Sequence, residues 1–271
     1  MASQASTEAR YVLRWQRGIR ARREKDELAA EEPLEIQVDT RPVAVTMRTP
    51  GHDDELAAGF LLTEGIVRSK TDITKITPYV RNQTGNVLDV FLAPHVEVDF
   101  AQLTRHVFAS SSCGLCGKAT IEAVHRHFSR VKMRLAVSAK TLLDLPGQLR
   151  DHQQAFERTG GLHAAAIFNS RGKLVVLRED VGRHNAVDKV LGHGLLQGLL
   201  PFERHILMVS GRTSFEILQK ALAARVPIVA AVSAPSSLAV EFAASSGQTL
   251  VGFVREDRFN IYSRPDRIRL R

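Results

Sequence analysis

Apolar positions along the chain change their period near residue 131. Before it, Leu34, Ile36 and Val38 alternate with Glu35 and Gln37, and Pro42 to Met47 forms a second such run behind the turn residues Asp39-Thr40-Arg41. Period two around a polar turn predicts paired strands. Thr49-Pro50-Gly51-His52-Asp53-Asp54 then opens a helix. In it Leu56, Gly59/Phe60 and Thr63 recur at helical spacing, Asp53, Asp54 and Glu55 occupy the first turn, and Gly65 is the stop. Ile73 to Val80 and Asn86 to Leu92 read as a hairpin around Asn82-Gln83-Thr84-Gly85. A Ser/Gly-rich stretch follows at 110–117, and Ile121, Val124 and Phe128 predict one helical stripe behind it.

After residue 131 the strands become continuous apolar runs. Leu142 to Phe156 is helical in pattern, interrupted by Pro146-Gly147. Two short runs, Ala164–Phe168 and Leu174–Leu177, flank Asn169-Ser170-Arg171-Gly172 at hairpin spacing. Helices at about Asn185–Leu199, Phe215–Ala224 and Leu238–Ala244 alternate with strands at Ile206–Val209, Ile228–Val232 and Leu250–Val254. Apolar strands separated by helices imply a parallel arrangement covered on both faces. The chain therefore divides into a disordered lead at 1–10, a β-rich N-terminal domain at 11–108, a cysteine loop and helix at 109–130, and an α/β domain at 131–271.

Composition narrows the class. Of 271 residues, 44% are apolar and 24% charged, which suits a globular protein with a real core. Lys plus Arg is 37 against 29 for Asp plus Glu, a formal charge of +8 that favours anionic partners. The basic residues are spread along the chain without stacking aromatics, which argues against nucleic acid. No apolar run reaches transmembrane length, so no membrane association is expected, and a lone close cysteine pair is not a secreted disulfide framework. A reducing, cytoplasmic setting is expected.

In a sheet of this kind ligands bind outside the carboxyl ends of the strands. Those exits read Asp180-Val181-Gly182-Arg183-His184, Ser210-Gly211-Arg212-Thr213, Ser233-Ala234-Pro235-Ser236-Ser237 and Arg255-Glu256-Asp257-Arg258. Small polar residues, arginine and following helix N-termini suit a phosphate-bearing, nucleotide-sized ligand. Ser210, Thr213, Ser233 and Ser236 are also good N-caps with or without a ligand. Neither a dinucleotide Gly-x-Gly-x-x-Gly nor an ATP loop is present. His184, beside Asp180 and Arg183, is a better functional candidate than His163.

Cys113 and Cys116 are the only cysteines and lie in Ser111-Ser112-Cys113-Gly114-Leu115-Cys116-Gly117-Lys118. A helix start and Lys118 would favour thiolate. Thiols three apart suit persulfide transfer, disulfide exchange or half a metal site. Zinc is not expected: His125 and His127, the nearest further ligands, are two apart on a helix and point to different sides.

Ser111 to Gly117 resembles the signature of the formate dehydrogenase accessory sulfurtransferase family, FdhD. Thr49 to Leu56, Gly59 to Gly65, Gly161 to Ala165, Glu179 to Lys189, Ser210 to Glu216 and Ser233 to Ser237 resemble it too, in order, so that the likeness runs from about Val12 to Tyr262. The resemblance implies a sulfur carrier. It would take persulfide sulfur from a cysteine desulfurase onto Cys113, with Cys116 assisting. It would deliver the sulfur to a molybdenum or tungsten cofactor bearing two pyranopterin guanine dinucleotides, for the formate dehydrogenase apoenzyme. It also implies that Phe253-Val254-Arg255-Glu256-Asp257-Arg258 helps bind that cofactor, with GDP as a surrogate ligand, that the protein is a homodimer, and that the C-terminal half has the cytidine-deaminase three-layer αβα fold with a mixed sheet. The deaminase zinc signature is missing, so that fold does not imply deamination. A thiol-disulfide oxidoreductase and a non-catalytic cofactor chaperone remain as alternatives.

Overall fold

The computed structural model describes residues 5–79, 85–100, 124, 125, 127–133 and 135–270. β1 (Thr7–Gln16) and β2 (Ile19–Ala29) pair as an antiparallel arm, so regular structure begins inside the stretch read as a disordered lead. β3 (Glu32–Val38), β4 (Arg41–Arg48), β5 (Ile73–Pro78) and β6 (Val87–Leu92) form a sheet in the order β4-β3-β6-β5, with α1 (Asp53–Thr63) between β4 and β5. β7 (Val137–Ser138), α2 (Ala139–Asp151) and α3 (Gln154–Thr159) lead into the hairpin β8 (His163–Asn169) and β9 (Leu174–Asp180). Then come α4 (Arg183–Leu196), β10 (His205–Val209), α5 (Phe215–Ala223), β11 (Ile228–Ala231), α6 (Ser237–Ser246), β12 (Thr249–Gly252), β13 (Asn260–Ser263) and β14 (Ile268–Arg269). Among these described residues no helix is long and apolar enough to cross a membrane.

The main sheet runs β13-β12-β11-β10-β8-β9. β10, β11 and β12 are parallel, and β8 is antiparallel to both β9 and β10. The carboxyl ends of β9 to β12 and the amino end of β8 therefore share one rim. Both faces of the sheet are covered. Ile167, Leu207, Val209, Val229 and Leu250 belong to one apolar cluster with α4, α5 and α6, while Ala166, Phe168, Met208 and Ala230 belong to another with Leu142, Leu145 and Leu149 of α2. Helix, mixed sheet, helix is the three-layer α/β architecture expected for this half, with the β-rich sheet beside it.

The two parts are joined through α1 and α4. Gly59 and Gly192 let these helices touch backbone to backbone: a Cβ built on Gly59 would lie 1.9 Å from the Asp188 carbonyl oxygen, and one on Gly192 1.8 Å from that of Glu55. Leu34, Ile36 and Val90 of the smaller sheet share the cluster that reaches Leu250. Buried ions tie the same seam. Lys189 Nζ lies 2.6 Å from Asp180, and Lys220 Nζ 2.8 Å from Asp188, which also accepts from Thr63 Oγ1.

Two elements depart from the pattern reading. α2 runs through Pro146 and ends at Asp151, so the helical stretch breaks at His152-Gln153 rather than at Pro146-Gly147. β12 stops at Gly252, and Phe253 takes a left-handed φ of 53°, turning the chain out of the sheet two residues early.

Candidate functional site

The rim gathers most of the predicted positions, though not all as exposed groups. Ser210 Oγ accepts from the Ala164 amide at 2.9 Å and lines a cleft of about 560 Å³. Gly211 is buried between neighbours: a Cβ there would stand 3.3 Å from His163 Nδ1 and 3.6 Å from Arg183 Cδ. Arg212 is exposed. The Ser233 carbonyl oxygen accepts from the Phe253 amide at 3.2 Å. Phe253, Arg255 and Arg258, with Asn260, line a second hollow of about 280 Å³. Glu256 and Asp257 are exposed beside it, Asp257 at 3.5 Å from Arg258 Nη1.

Three predicted site residues face inward. Asp180 is fully buried, and its carboxylate is taken up by Lys189, the amides of Thr49 and Gly182 and the side chain of Asn185. It fixes the start of α4 and has no oxygen to offer a ligand. Thr213 is buried, with its backbone bridging to Ala234 and Ser236. Val254 packs in the α2-side cluster. The capping reading describes Ser236, whose Oγ accepts from the Ala239 amide at the start of α6, but not Thr213: Ser214 takes the N-cap position of α5, and Thr213 Oγ1 is buried with no partner among the described residues.

Arg183 is half-buried at the first turn of α4, and its Nε is buried with no hydrogen-bond partner among the described residues. His184 Nε2 lies 3.2 Å from Ser214 Oγ and 3.4 Å from Glu216. The hydrogen bond from His184, helped by that from Ser214, holds Glu216 down to about 2 against the opposing effect of burial. His163, at the amino end of β8, is pushed below its ordinary value by burial first, then by Arg183 and His184. It is a neutral imidazole near pH 7, with one donor and one acceptor.

Sequence reasoning missed the far wall of the larger cleft. Pro146, Leu149 and Arg150 of α2, with Gln153, Phe156, Gly160, Gly161 and Leu162, face Ser210 and Val232 across it. The missed signal was topological: an antiparallel β8 brings the residues before it to the same rim as the strand exits. Cys113 and Cys116 lie outside the described residues, as does most of the expected helix behind them. Val124 and His125 are helical, and His125 stacks on Phe242 at 5.5 Å and approaches Ser245 Oγ at 3.2 Å.

A family model described as FdhD/NarQ matches residues 29–269, most of the chain. The chain belongs to the FdhD/NarQ family. It is 50% identical over 274 residues to a "Sulfur carrier protein FdhD" of Streptomyces coelicolor, covering 98% of this chain and 96% of that one. It is 52% identical over 251 residues to the protein of that name from Mycobacterium tuberculosis, covering 89% and 91%. The Sulfolobus acidocaldarius protein of the same name is 43% identical over 255 residues, covering 93% and 95%. A crystal structure of a provisionally named formate dehydrogenase accessory protein from Desulfotalea psychrophila superposes with a TM-score of 0.78 at 24% identity, covering 98% of this chain and all of that one. That likeness establishes a shared fold.

Proposed function

We propose that this chain is a sulfur carrier serving formate dehydrogenase, with Cys113 as the carrying thiol. One observation carries the reading: half identity along 98% of the chain, cysteine segment included, to a protein named as a sulfur carrier. The chemistry is consistent. Cys113 thiolate attacks the outer sulfur of a desulfurase persulfide. The donor S–S bond breaks, the donor cysteine leaves as thiolate, and a new S–S bond forms on Cys113 with no net redox change. Cys116 supplies a release route. Its thiolate attacks Cys113 Sγ, forms the internal disulfide and frees the outer sulfur as sulfide. The electron pair that reduces this sulfur comes from the two thiols, and a cellular dithiol must later reduce the disulfide.

The acceptor is a molybdenum or tungsten cofactor with two guanine dinucleotide tails, held as substrate at the rim. Support comes from Arg212, beyond β10, and Arg255 and Arg258, beyond β12, which are exposed at two exits of one rim as forked donors for phosphate oxygens. Cys113 lies 13 residues from Phe100 and 11 from Val124. Eleven extended residues span at most about 40 Å, which bounds its reach from the described chain. A homodimer in the cytoplasm completes the proposal.

Intact mass measurement after incubation with a cysteine desulfurase and cysteine tests it. The wild-type chain gains one sulfur atom, and Cys113→Ala gains none while still binding GDP. A Cys113→Ala chain that activates formate dehydrogenase fully overturns the carrier role in favour of a cofactor chaperone. A Cys113–Cys116 couple that cycles with thioredoxin-type partners and takes up no sulfur points instead to an oxidoreductase.

A further inference from the structure

The β1–β2 arm is built unlike the rest of the molecule. Residues 13–23 are exposed throughout, and the arm is a sheet of its own two strands, so neither edge has a neighbouring strand among the described residues. A two-stranded ribbon is marginal in water unless it packs on something. Its faces differ in chemistry, because residues opposed across an antiparallel pair point to one side. Arg10, Arg14 and Arg22 form ion pairs with Glu8, Glu24 and Asp26, all on one face. The other face carries Tyr11 and Leu13 opposite Lys25 and Arg23, with Trp15 two residues on. Tyr11, Leu13 and Trp15 are each 71% exposed, and Ile19, beyond the turn, is 55% exposed. Large apolar side chains gathered on a projecting ribbon mark an interaction surface. Residues 13–23 also hold five arginines and no acidic residue.

These features select the occupant. Five arginines suit an acidic surface. A second copy meeting this one through the same patch would set the arginines against their own kind. A lipid surface would take the charge and the aromatic rings but leave the free backbone edges without partners, whereas a protein segment can bond to them. Position then selects among proteins. The base of the arm is held to the wall of the larger cleft: Arg158 Nη1 lies 3.5 Å from Glu27, and Ala29 Cβ lies 3.4 Å from where a Cβ on Gly161, a cleft residue, would stand. A protein docked on the arm therefore stands beside the rim where the proposed function holds the cofactor.

We propose that the arm is the docking surface for the apoenzyme that receives the cofactor. Tyr11, Leu13, Trp15 and Ile19 pack on an apolar patch of that protein, and the arginines meet an acidic border beside its cofactor entrance. The inference rests on the carrier reading above and adds the surface across which the cargo is handed over.

Trp15 is the only tryptophan, so fluorotryptophan labelling of the full chain puts a single fluorine reporter on the arm. Formate dehydrogenase apoenzyme should shift and broaden its resonance, and phosphatidylglycerol vesicles should leave it unchanged. Leu13→Ser and Arg20→Glu should each weaken apoenzyme binding by about tenfold in calorimetry, while persulfide uptake at Cys113 and GDP binding match the wild type. Both positions are exposed on the arm, and a thermal melt of each variant reports folding. Unchanged apoenzyme affinity in both variants, with normal sulfur uptake, overturns the docking surface and leaves the carrier reading standing. A resonance that answers to vesicles and not to apoenzyme assigns the arm to a lipid surface and also overturns it. So does a Leu13→Ser chain that sediments as a smaller assembly than the wild type, which assigns the arm to a second copy. Arm-dependent apoenzyme binding by a chain that takes up no sulfur sinks the carrier reading and supports the docking surface.

Discussion

Single residues at the rim divide by what their atoms already hold. Asp180 and Thr213 are both buried and polar, yet Asp180 has both carboxylate oxygens engaged and Thr213 Oγ1 has no partner among the described residues. The contacts of the first make it structural. Asp180 leans on Lys189, itself 1% exposed, which also donates to the Thr49 carbonyl at 2.8 Å. Lys189→Met would keep the aliphatic bulk and strand the carboxylate. Removing one partner of a buried pair costs about 3–5 kcal/mol, so the urea midpoint should fall by that equivalent. A midpoint within about 0.5 kcal/mol of wild type would show that Asp180 finds other compensation.

At the scale of elements, the α1–α4 crossing depends on two glycines. Gly192→Ala would put a methyl carbon on the Glu55 carbonyl oxygen, a backbone atom that moves only with its helix. Overpacking of this kind costs about 1–3 kcal/mol or more. It should also disturb Glu55, which Arg178 holds at 2.6 Å and His193 at 2.9 Å. Gly147→Ala, inside α2 with open space around its Cβ position, is the control that should keep or slightly raise the melting temperature. A Gly192→Ala chain melting with the control would mean that the helices part freely.

Much of this level was legible in the chain. Strands such as Ile206–Val209 and Ile228–Val232 read correctly to within a residue, because each is a short apolar run bounded by polar exits and buried on both faces. β13 and β14 were not legible. Asn260–Ser263 is a sheet-edge strand with little apolar pattern, and β14 pairs over two residues only. Pro146 was taken as a break, but α2 accommodates it within the helix. At the site, the rule about strand exits located the rim. It could not tell inward from outward residues, which is why Asp180, with its oxygens engaged, and Val254, packed in the core, were counted among ligand contacts. It also looked only at carboxyl ends and so passed over Gln153 and Phe156, which reach the rim from the amino side of β8.

Across the whole molecule, acid should act in one direction. Burial pushes His52, His125, His163 and His205 below their ordinary value, so each binds its proton less readily folded than unfolded. With a lowered folded pKa, the unfolded chain takes up protons first as pH falls through about 6.5, and stability drops from there down to the folded value. Burial alone opposes amide hydrogen bonds from Arg68 and Ser69 and the His95 contact at Asp72, and the contacts win, holding it at about 2, as they do Glu216. These carboxylates add a second loss between about pH 4.5 and 2, again because the unfolded chain binds more protons. Both steps have the same sign, so the urea midpoint should hold between pH 8 and pH 7, decline from about 6.5 towards pH 5 and fall further below it. His205 isolates one contribution, since desolvation is its sole cause of shift and its ring packs edge-on against Phe202 at 4.9 Å. His205→Leu retains an apolar side chain there and removes the proton site, so its midpoint should fall less between pH 7 and pH 5 than that of the wild type. An equal slope in the two chains would mean that His205 titrates alike folded and unfolded, and that the acid sensitivity lies with the other three.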